Sequence, residues 1–232
     1  MEKISYKTVS YKNIKVNYLP ELEGGGRGFG QEYIRVIREK VGKVDHVFEF
    51  CAGPGFIGFS LLAQGLCNRL TLADINPEAV GACQKTIEDN DLEDRVSVYL
   101  SDCLDSIPVS EKWDLVVSNP PHFWTGSEEV HKQDIRTYDI DFRVHRKFYQ
   151  DIKKFLKPDG SVIIQENGNV NRPGFTRLED FTSMIGEGGL EIVEVFYARV
   201  MSVEECLGGG GRMGMDTQQS QFYFIWSKIK TA

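Results

Sequence analysis

The sequence predicts an α/β protein with a doubly wound, mostly parallel sheet of seven strands that ends in an antiparallel C-terminal hairpin. Three observations carry this. Short apolar runs alternate with helical patterns through the middle of the chain. These runs are continuously apolar, as in strands covered on both faces. The last two strand-like runs are joined only by a polar, Gly-rich loop in which no crossover helix fits.

Taken in order, the run HVFEFC (residues 46–51) is β-branched and aromatic and ends at Ala52-Gly53-Pro54-Gly55; apolar residues at helical spacing follow over 56–63 until Gly65. LTLA (70–73) is a second buried strand. After it, Asn76-Pro77-Glu78 supplies an N-cap, a proline at the first helical position and an acid in the first turn. That helix carries Ala79, Val80, Cys83 and Ile87 inward and breaks near Asn90-Asp91. Residues 96–100 and 113–118 are strands three and four. Phe148, Tyr149, Ile152, Phe155 and Leu156 mark a helix that Lys157-Pro158-Asp159-Gly160 ends, and 162–165 is strand five. A helix over 178–185 precedes the hairpin runs 191–200 and 221–228.

A chain of 232 residues, 41% hydrophobic and 26% charged with 8 Pro, forms one large domain with a full core. Residues 1–45 read as an N-terminal extension to a main domain over 46–232. The 27 Lys and Arg against 34 Asp and Glu give a net charge of −7, which argues against broad nucleic-acid binding. Five Cys (51, 67, 83, 103 and 206) include no C-x-x-C pair and no His at ligand spacing, so neither disulfides nor a metal are expected; reduced thiols point to the cytoplasm. The first twenty residues lack the apolar segment of an export signal. Residues 47–67 are nearly uncharged, but Glu49, Pro54 and several Gly mark them as core rather than a membrane span.

Gly53-Pro54-Gly55-Phe56-Ile57-Gly58 has the G-x-G-x-x-G pattern between strand and helix, and Asp74 ends the next strand about twenty residues on. Glycine permits the turn and close approach of a ligand, and a carboxylate accepts both ribose hydroxyls. Taken alone, this marks an adenosine cofactor, which a nicotinamide-dependent oxidoreductase also uses. Glu49 lies inside the first strand, where a carboxylate serves a ligand carrying an ammonium group. Asp102 follows strand three and suits an adenine amine, with the Cys103 backbone beside it for a ring nitrogen.

With these residues the chain resembles the class I S-adenosylmethionine-dependent methyltransferases over residues 45–230, a Rossmann-like fold that has the late antiparallel hairpin. The resemblance implies S-adenosylmethionine as cofactor. Glu49, Ala52, Gly53 and Gly55 then surround its methionine half, Asp74 and Ile75 its ribose, and Asp102 and Cys103 its adenine. Pro54 departs from the family pattern by removing an N–H donor from the turn.

Strand four runs into Asn119-Pro120-Pro121-His122, which resembles the Asn-Pro-Pro-aromatic signature of methyltransferases acting on glutamine amides and the exocyclic amines of bases. Such nitrogens have delocalised lone pairs, so fixed acceptors must hold their N–H groups while the lone pair is turned to the methyl group. By the resemblance, Asn119 supplies a side-chain carbonyl beside the cofactor, Pro120 a backbone carbonyl, and Pro121 fixes the turn. His122 stands where Tyr or Phe is usual and either stacks on the acceptor or acts as a base. Phe123 and Trp124 are expected at the acceptor, together with Phe29 from a glycine-rich segment, residues 23–31, read as a lid. Residues 124–145 read as a substrate-recognition insertion or a mobile loop, and His46, His131 and His145 as ordinary histidines.

The expected function is N-methylation of an amide or amine on a protein side chain or small molecule. The alternatives are methylation of adenine N6 in tRNA or rRNA and, from a different class, nicotinamide-dependent oxidoreduction.

Overall fold

The computed structural model describes residues 5–22, 26–168, 178–197 and 221–231. β1 (Lys7–Tyr11) and β2 (Ile14–Tyr18) form an antiparallel hairpin of their own. Its Tyr11, Ile14, Val16 and Tyr18 are buried in the larger of two core clusters. α1 (Gly26–Lys40) turns Tyr33, Ile34, Val36 and Ile37 inward, the stripe of an amphipathic helix. The segment read as an extension therefore contributes to the main core.

β3 (His46–Phe50) is buried at every position and lies in the interior of the sheet. α2 (Phe56–Ala63) follows it, then β4 (Arg69–Asp74), α3 (Pro77–Asp89), β5 (Val96–Leu100) and β6 (Trp113–Ser118). The Asn76 side chain caps α3 by accepting from Glu78 N at 2.9 Å, as the sequence predicts. β7 (Phe123–Thr125), α4 (Glu128–Gln133) and β8 (Tyr138–Ile140) come next, and β7 pairs with β8 in parallel. Residues 123–140 thus form a small folded βαβ unit, which takes up most of the stretch 124–145 read as an insertion or mobile loop. The chain then runs through α5 (Arg143–Ile152), β9 (Leu156–Gly168), α6 (Leu178–Glu187), β10 (Leu190–Tyr197) and β11 (Gln221–Ile229).

The sheet order is β10-β11-β9-β6-β3-β4-β5. Six of the seven strands run in one direction, and β11 enters antiparallel between β9 and β10, so the predicted fold class and edge hairpin are both present. Among the described residues no helix is long and apolar enough to cross a membrane. Residues 198–200, Cys206, the glycines at 208–211 and the start of the predicted lid (23–25) lie outside the described residues.

One predicted boundary is wrong. The sequence carries the helix of α5 through Phe155 and Leu156, whereas it stops at Ile152 and Leu156 already opens β9. Leu156 pairs with Trp113 and Ser161 with Leu115, so residues 157–160 bulge out of the ladder. A bulge tolerates Pro158, which has no N–H to give. Gly160 is needed there, since a Cβ would come within 2.9 Å of Lys157 O and 3.0 Å of Trp113 O.

The two central strands are tied by one hydroxyl. Tyr33, fully buried, places its oxygen 2.6 Å from Ser118 O and 3.0 Å from Ile163 O, and accepts from Gln165 N at 3.0 Å. It thereby satisfies backbone groups of β6 and β9 where the pairing of the two strands ends. Tyr33→Phe leaves these buried groups without that partner, and we expect a loss of about 1–3 kcal/mol in denaturant unfolding. A change within a few tenths of a kcal/mol in Tyr33→Phe would show that the bridge is dispensable.

Candidate active site

In a doubly wound sheet the ligand crevice opens at the carboxyl ends of the strands, where the direction of winding reverses. Here that point lies between β3 and β6, because β4 and β5 lie to one side of β3 and β6 and β9 to the other. The register sets Phe50 level with Ser118 and with Ala73. Cys51, Asn119 and Asp74, just beyond them, therefore share one edge, and Ser118 Oγ donates to Phe50 O across it.

The turn after β3 is held at both ends. Gly53 (φ 52°) donates its N–H to Asp74 Oδ2 at 2.7 Å, and Ala52 N donates to Ala73 O at 2.9 Å. Gly55 (φ 78°) admits no side chain, because a Cβ would stand 2.8 Å from the Phe59 ring. At Gly53 a Cβ would meet nothing among the described residues nearer than Leu22 O at 3.9 Å, so these leave the outer side of the turn open.

Glu49 is only 2% exposed, and its Oε2 accepts from Gly58 N at 2.6 Å, with a further backbone bond from Ile57. Gly55 is the N-cap of α2 and has no side chain to offer, so a carboxyl group from the adjoining strand caps the helix instead. Gly58 makes room for it, since a Cβ there would lie 2.8 Å from Glu49 Oε2. Burial pushes the Glu49 carboxyl up to about 8, against the two backbone bonds that favour its charge.

Asp74 accepts from Gly53 N on one oxygen and from Asn76 N on the other at 2.9 Å; burial raises its pKa against these bonds. Ile75 beside it is 50% exposed, as is Leu100 at 52% at the end of β5, and together they give the edge an apolar surface. Asp102 takes Arg143 Nη1 at 2.9 Å and Lys147 Nζ at 3.1 Å on Oδ2. Burial works to raise it, but those two cations hold it below the usual carboxylate range. The adenine acceptor expected from sequence is thus already an ion-pair partner of α5. Cys103 is buried, which pushes its thiol up to about 12.

Beyond β6, Pro120 and Pro121 are buried and Asn119 is half-buried. The His122 ring presents its edge to Asn119, with Nε2 2.7 Å from Asn119 Oδ1, and its Nδ1 lies 3.5 Å from Glu166 Oε2. The other Glu166 oxygen meets His145 Nε2 at 2.9 Å, and His145 Nδ1 meets Asp139 Oδ2 at 2.6 Å. Asp139, His145 and Glu166 are all at most 1% exposed. Burial disfavours the imidazolium, yet the Glu166 and Asp139 carboxylates raise His145 to about 10. Burial would raise Glu166, but the His145 charge and the bonds from both imidazoles hold it below its ordinary value.

Sequence reasoning missed this cluster and treated His145 as ordinary. Two signals were present: His145 extends the apolar stripe of Phe148, Tyr149 and Ile152 by one turn, and Glu166 closes an otherwise apolar strand, as Glu49 interrupts β3. Asp139 carried no signal of its own. Phe123 is buried, with its ring 6.1 Å from that of Tyr138, whereas Trp124 is 41% exposed. Phe29 lies in α1 by its backbone, and its side chain is outside the described residues. Among the described residues no group of three or more His, Cys, Asp or Glu is arranged to hold a metal ion.

Residues 33–183 match the family described as methyltransferase small domain. The release factor glutamine methyltransferase of Clostridium acetobutylicum is 32% identical over 133 residues, 51% of this chain and 45% of that protein. The ribosomal protein uL3 glutamine methyltransferase of Francisella tularensis is 32% identical over 132 residues, 54% of this chain and 40% of that protein. The chain thus spans less than half the length of these two curated relatives. Among solved structures, TYW2 of M. jannaschii in complex with AdoMet shares the fold at a TM-score of 0.63 and 15% identity, over 98% of this chain and 87% of that one.

The Glu49 carboxyl gives a pH test of the crevice. Its value rises from 4.5 to about 8 on folding, so between those limits the folded chain holds a proton that the unfolded chain has released. Stability therefore falls as pH rises through this window. Glu49→Gln should flatten that slope in denaturant melts taken across it, and parallel profiles for wild type and variant would contradict the assignment.

Proposed function

The chain belongs to the methyltransferase small domain family, and on that premise we propose that it is an S-adenosylmethionine-dependent N-methyltransferase whose acceptor is a planar amide or amino nitrogen of a protein side chain or small molecule. The observation that carries this reading is Asn119-Pro120-Pro121-His122 at the carboxyl end of β6, on the same edge as the Gly53 turn and Asp74.

The groups on that edge fit the cofactor. Among the described residues the Gly53 turn is open outward, Asp74, with backbone N–H bonds from Gly53, Ile75 and Asn76, keeps acceptor capacity for a ribose hydroxyl, and the exposed Ile75 and Leu100 suit a purine face. Asp102 and the Cys103 backbone would take the adenine edge, with Arg143 and Lys147 keeping the carboxylate charged. Glu49 acts through α2, whose N-terminus it caps below the turn. When bound, S-adenosylmethionine supplies an electrophilic methyl group.

Asn119 Oδ1 can only accept, so the His122 Nε2 facing it carries a proton. The second lone pair of Oδ1 remains for an N–H of the acceptor, and the Pro120 carbonyl takes the other. The acceptor nitrogen is then held with its lone pair turned to the methyl group, and its proton leaves after transfer. The names of the relatives put a glutamine amide first among candidate acceptors. The four free cysteines among the described residues suit a reducing cytoplasm.

The test is transfer of a tritiated methyl group from S-adenosylmethionine to purified release factor, ribosomal protein uL3, total RNA and a small-molecule extract. Label in protein glutamine or a small molecule supports the reading; label in RNA alone overturns the acceptor class. Asp74→Ala should weaken cofactor binding by about 1.5–3 kcal/mol in calorimetry. Asn119→Ala should keep cofactor affinity and lower turnover about 100-fold. Equal turnover in wild type and Asn119→Ala would remove the orienting role.

A further inference from the structure

The buried chain behind His122 does more than fill space. Asp139 lies in β8, His145 in α5 and Glu166 in β9, so three elements contribute to one line of charges that ends at the Asn119–His122 pair. In this fully buried site His145 is held protonated and Glu166 ionised, with Asp139 Oδ2 2.6 Å from the second ring nitrogen. Internal charge of this kind is unfavourable unless something answers it. The group placed to do so is His122, whose Nδ1 faces the Glu166 oxygen that His145 does not use. Among the described residues Tyr33 of α1 and Tyr149 of α5 feel the Glu166 charge, with burial raising both phenols, and Tyr223 of β11 stands opposite Glu166 in the sheet register.

His46 provides a contrast within the same molecule. It is buried near the opposite edge of the sheet, its Nε2 meets Thr71 Oγ1 at 2.9 Å, and burial lowers its pKa. Its hydrogen bond goes to a hydroxyl, and the nearest carboxylate oxygen, Glu111 Oε2, stands back at 3.8 Å. His145 instead sits between two carboxylates.

We propose that Asp139, His145 and Glu166 are positioning residues for the site: an ion chain, anchored in the folded insertion, that holds the His122 ring edge-on against Asn119 and so fixes the amide that orients the methyl acceptor. This rests on the orienting role of Asn119. Asp139 also accepts from Val144 N at 2.9 Å and His145 N at 3.2 Å, so the first turn of α5 and the charge chain share one carboxylate. The insertion, in which an acceptor would be recognised, is thereby coupled to the residue that aims it.

The experiment is ring-nitrogen NMR of the four histidines in the full chain without ligand, for wild type, Asp139→Asn and Glu166→Gln, alongside calorimetry with S-adenosylmethionine and the methyl-transfer assay. In the wild type His145 should keep both ring protons through neutral pH. Asp139→Asn keeps an acceptor for the helix N–H groups but removes the charge. It should lower the His145 titration by more than about one pH unit and also move the His122 signals, although residue 139 does not touch that ring. Turnover should fall about tenfold or more with cofactor affinity unchanged. His122 signals and turnover matching wild type in a folded Asp139→Asn protein would overturn the chain, and Glu166→Gln is its second test. Coupled histidines in a wild type that transfers no methyl group would leave the chain standing and refute the methyltransferase reading; uncoupled histidines with full transfer would do the reverse.

Discussion

Two helices that face the crevice begin without a capping side chain of their own, and each is completed by a carboxyl group from a strand. The N-cap of α2 is Gly55 and that of α5 is Phe142, both in the left-handed region with no side-chain hydrogen bond. Glu49 of β3 supplies the missing acceptor for the first and Asp139 of β8 for the second. An uncapped N-terminus in the interior leaves donors unsatisfied, and a lone buried carboxylate is nearly as unfavourable, so each arrangement answers one problem with the other. The glycine at position 58, the turn at 53–55 and the line of charges behind His122 follow from where those two acids sit.

The tie between strands and helices also explains which parts of the fold were legible. From β3 to β6 the elements lie close to where periodicity and punctuation put them, because each is a short buried strand or a capped helix whose signals are local. The start of β9 was illegible because Lys157-Pro158-Asp159-Gly160 reads as a stop, and only the pairing partner on β6 turns it into a bulge. The insertion went unread because three-residue strands carry almost no period. The hairpin of β1 and β2 did have its signal, since Val9, Tyr11, Ile14 and Val16 recur about every second residue on either side of Lys12-Asn13.

At the site, residues tied to a turn or a strand end were legible, whereas those defined by three-dimensional pairing were not. Asp74 follows from its offset to the glycines and Asn119 from its motif. Asp139, His145 and Glu166 belong to separate elements, and only the assembled sheet brings the last to the first two. The motif's departure at His122 is explained by the same tertiary fact, since a Tyr or Phe ring has no nitrogens to set between Asn119 and Glu166.

Tyr33 has a consequence for the order in which the molecule comes into being. Its hydroxyl bridges backbone groups immediately before Asn119 and Glu166, at sequence separations of 85 and 132 residues. During synthesis the tyrosine emerges first and its partners later, and such distant contacts close only after the intervening chain is in place. A nascent chain that has released the glycine turn and Asp74 from the ribosome still lacks β9, and with it both Glu166 and the second anchor of that hydroxyl. The two halves of the site therefore mature at different times, with the turn and Asp74 on early chain and the half that aims the acceptor completed only when β9 arrives.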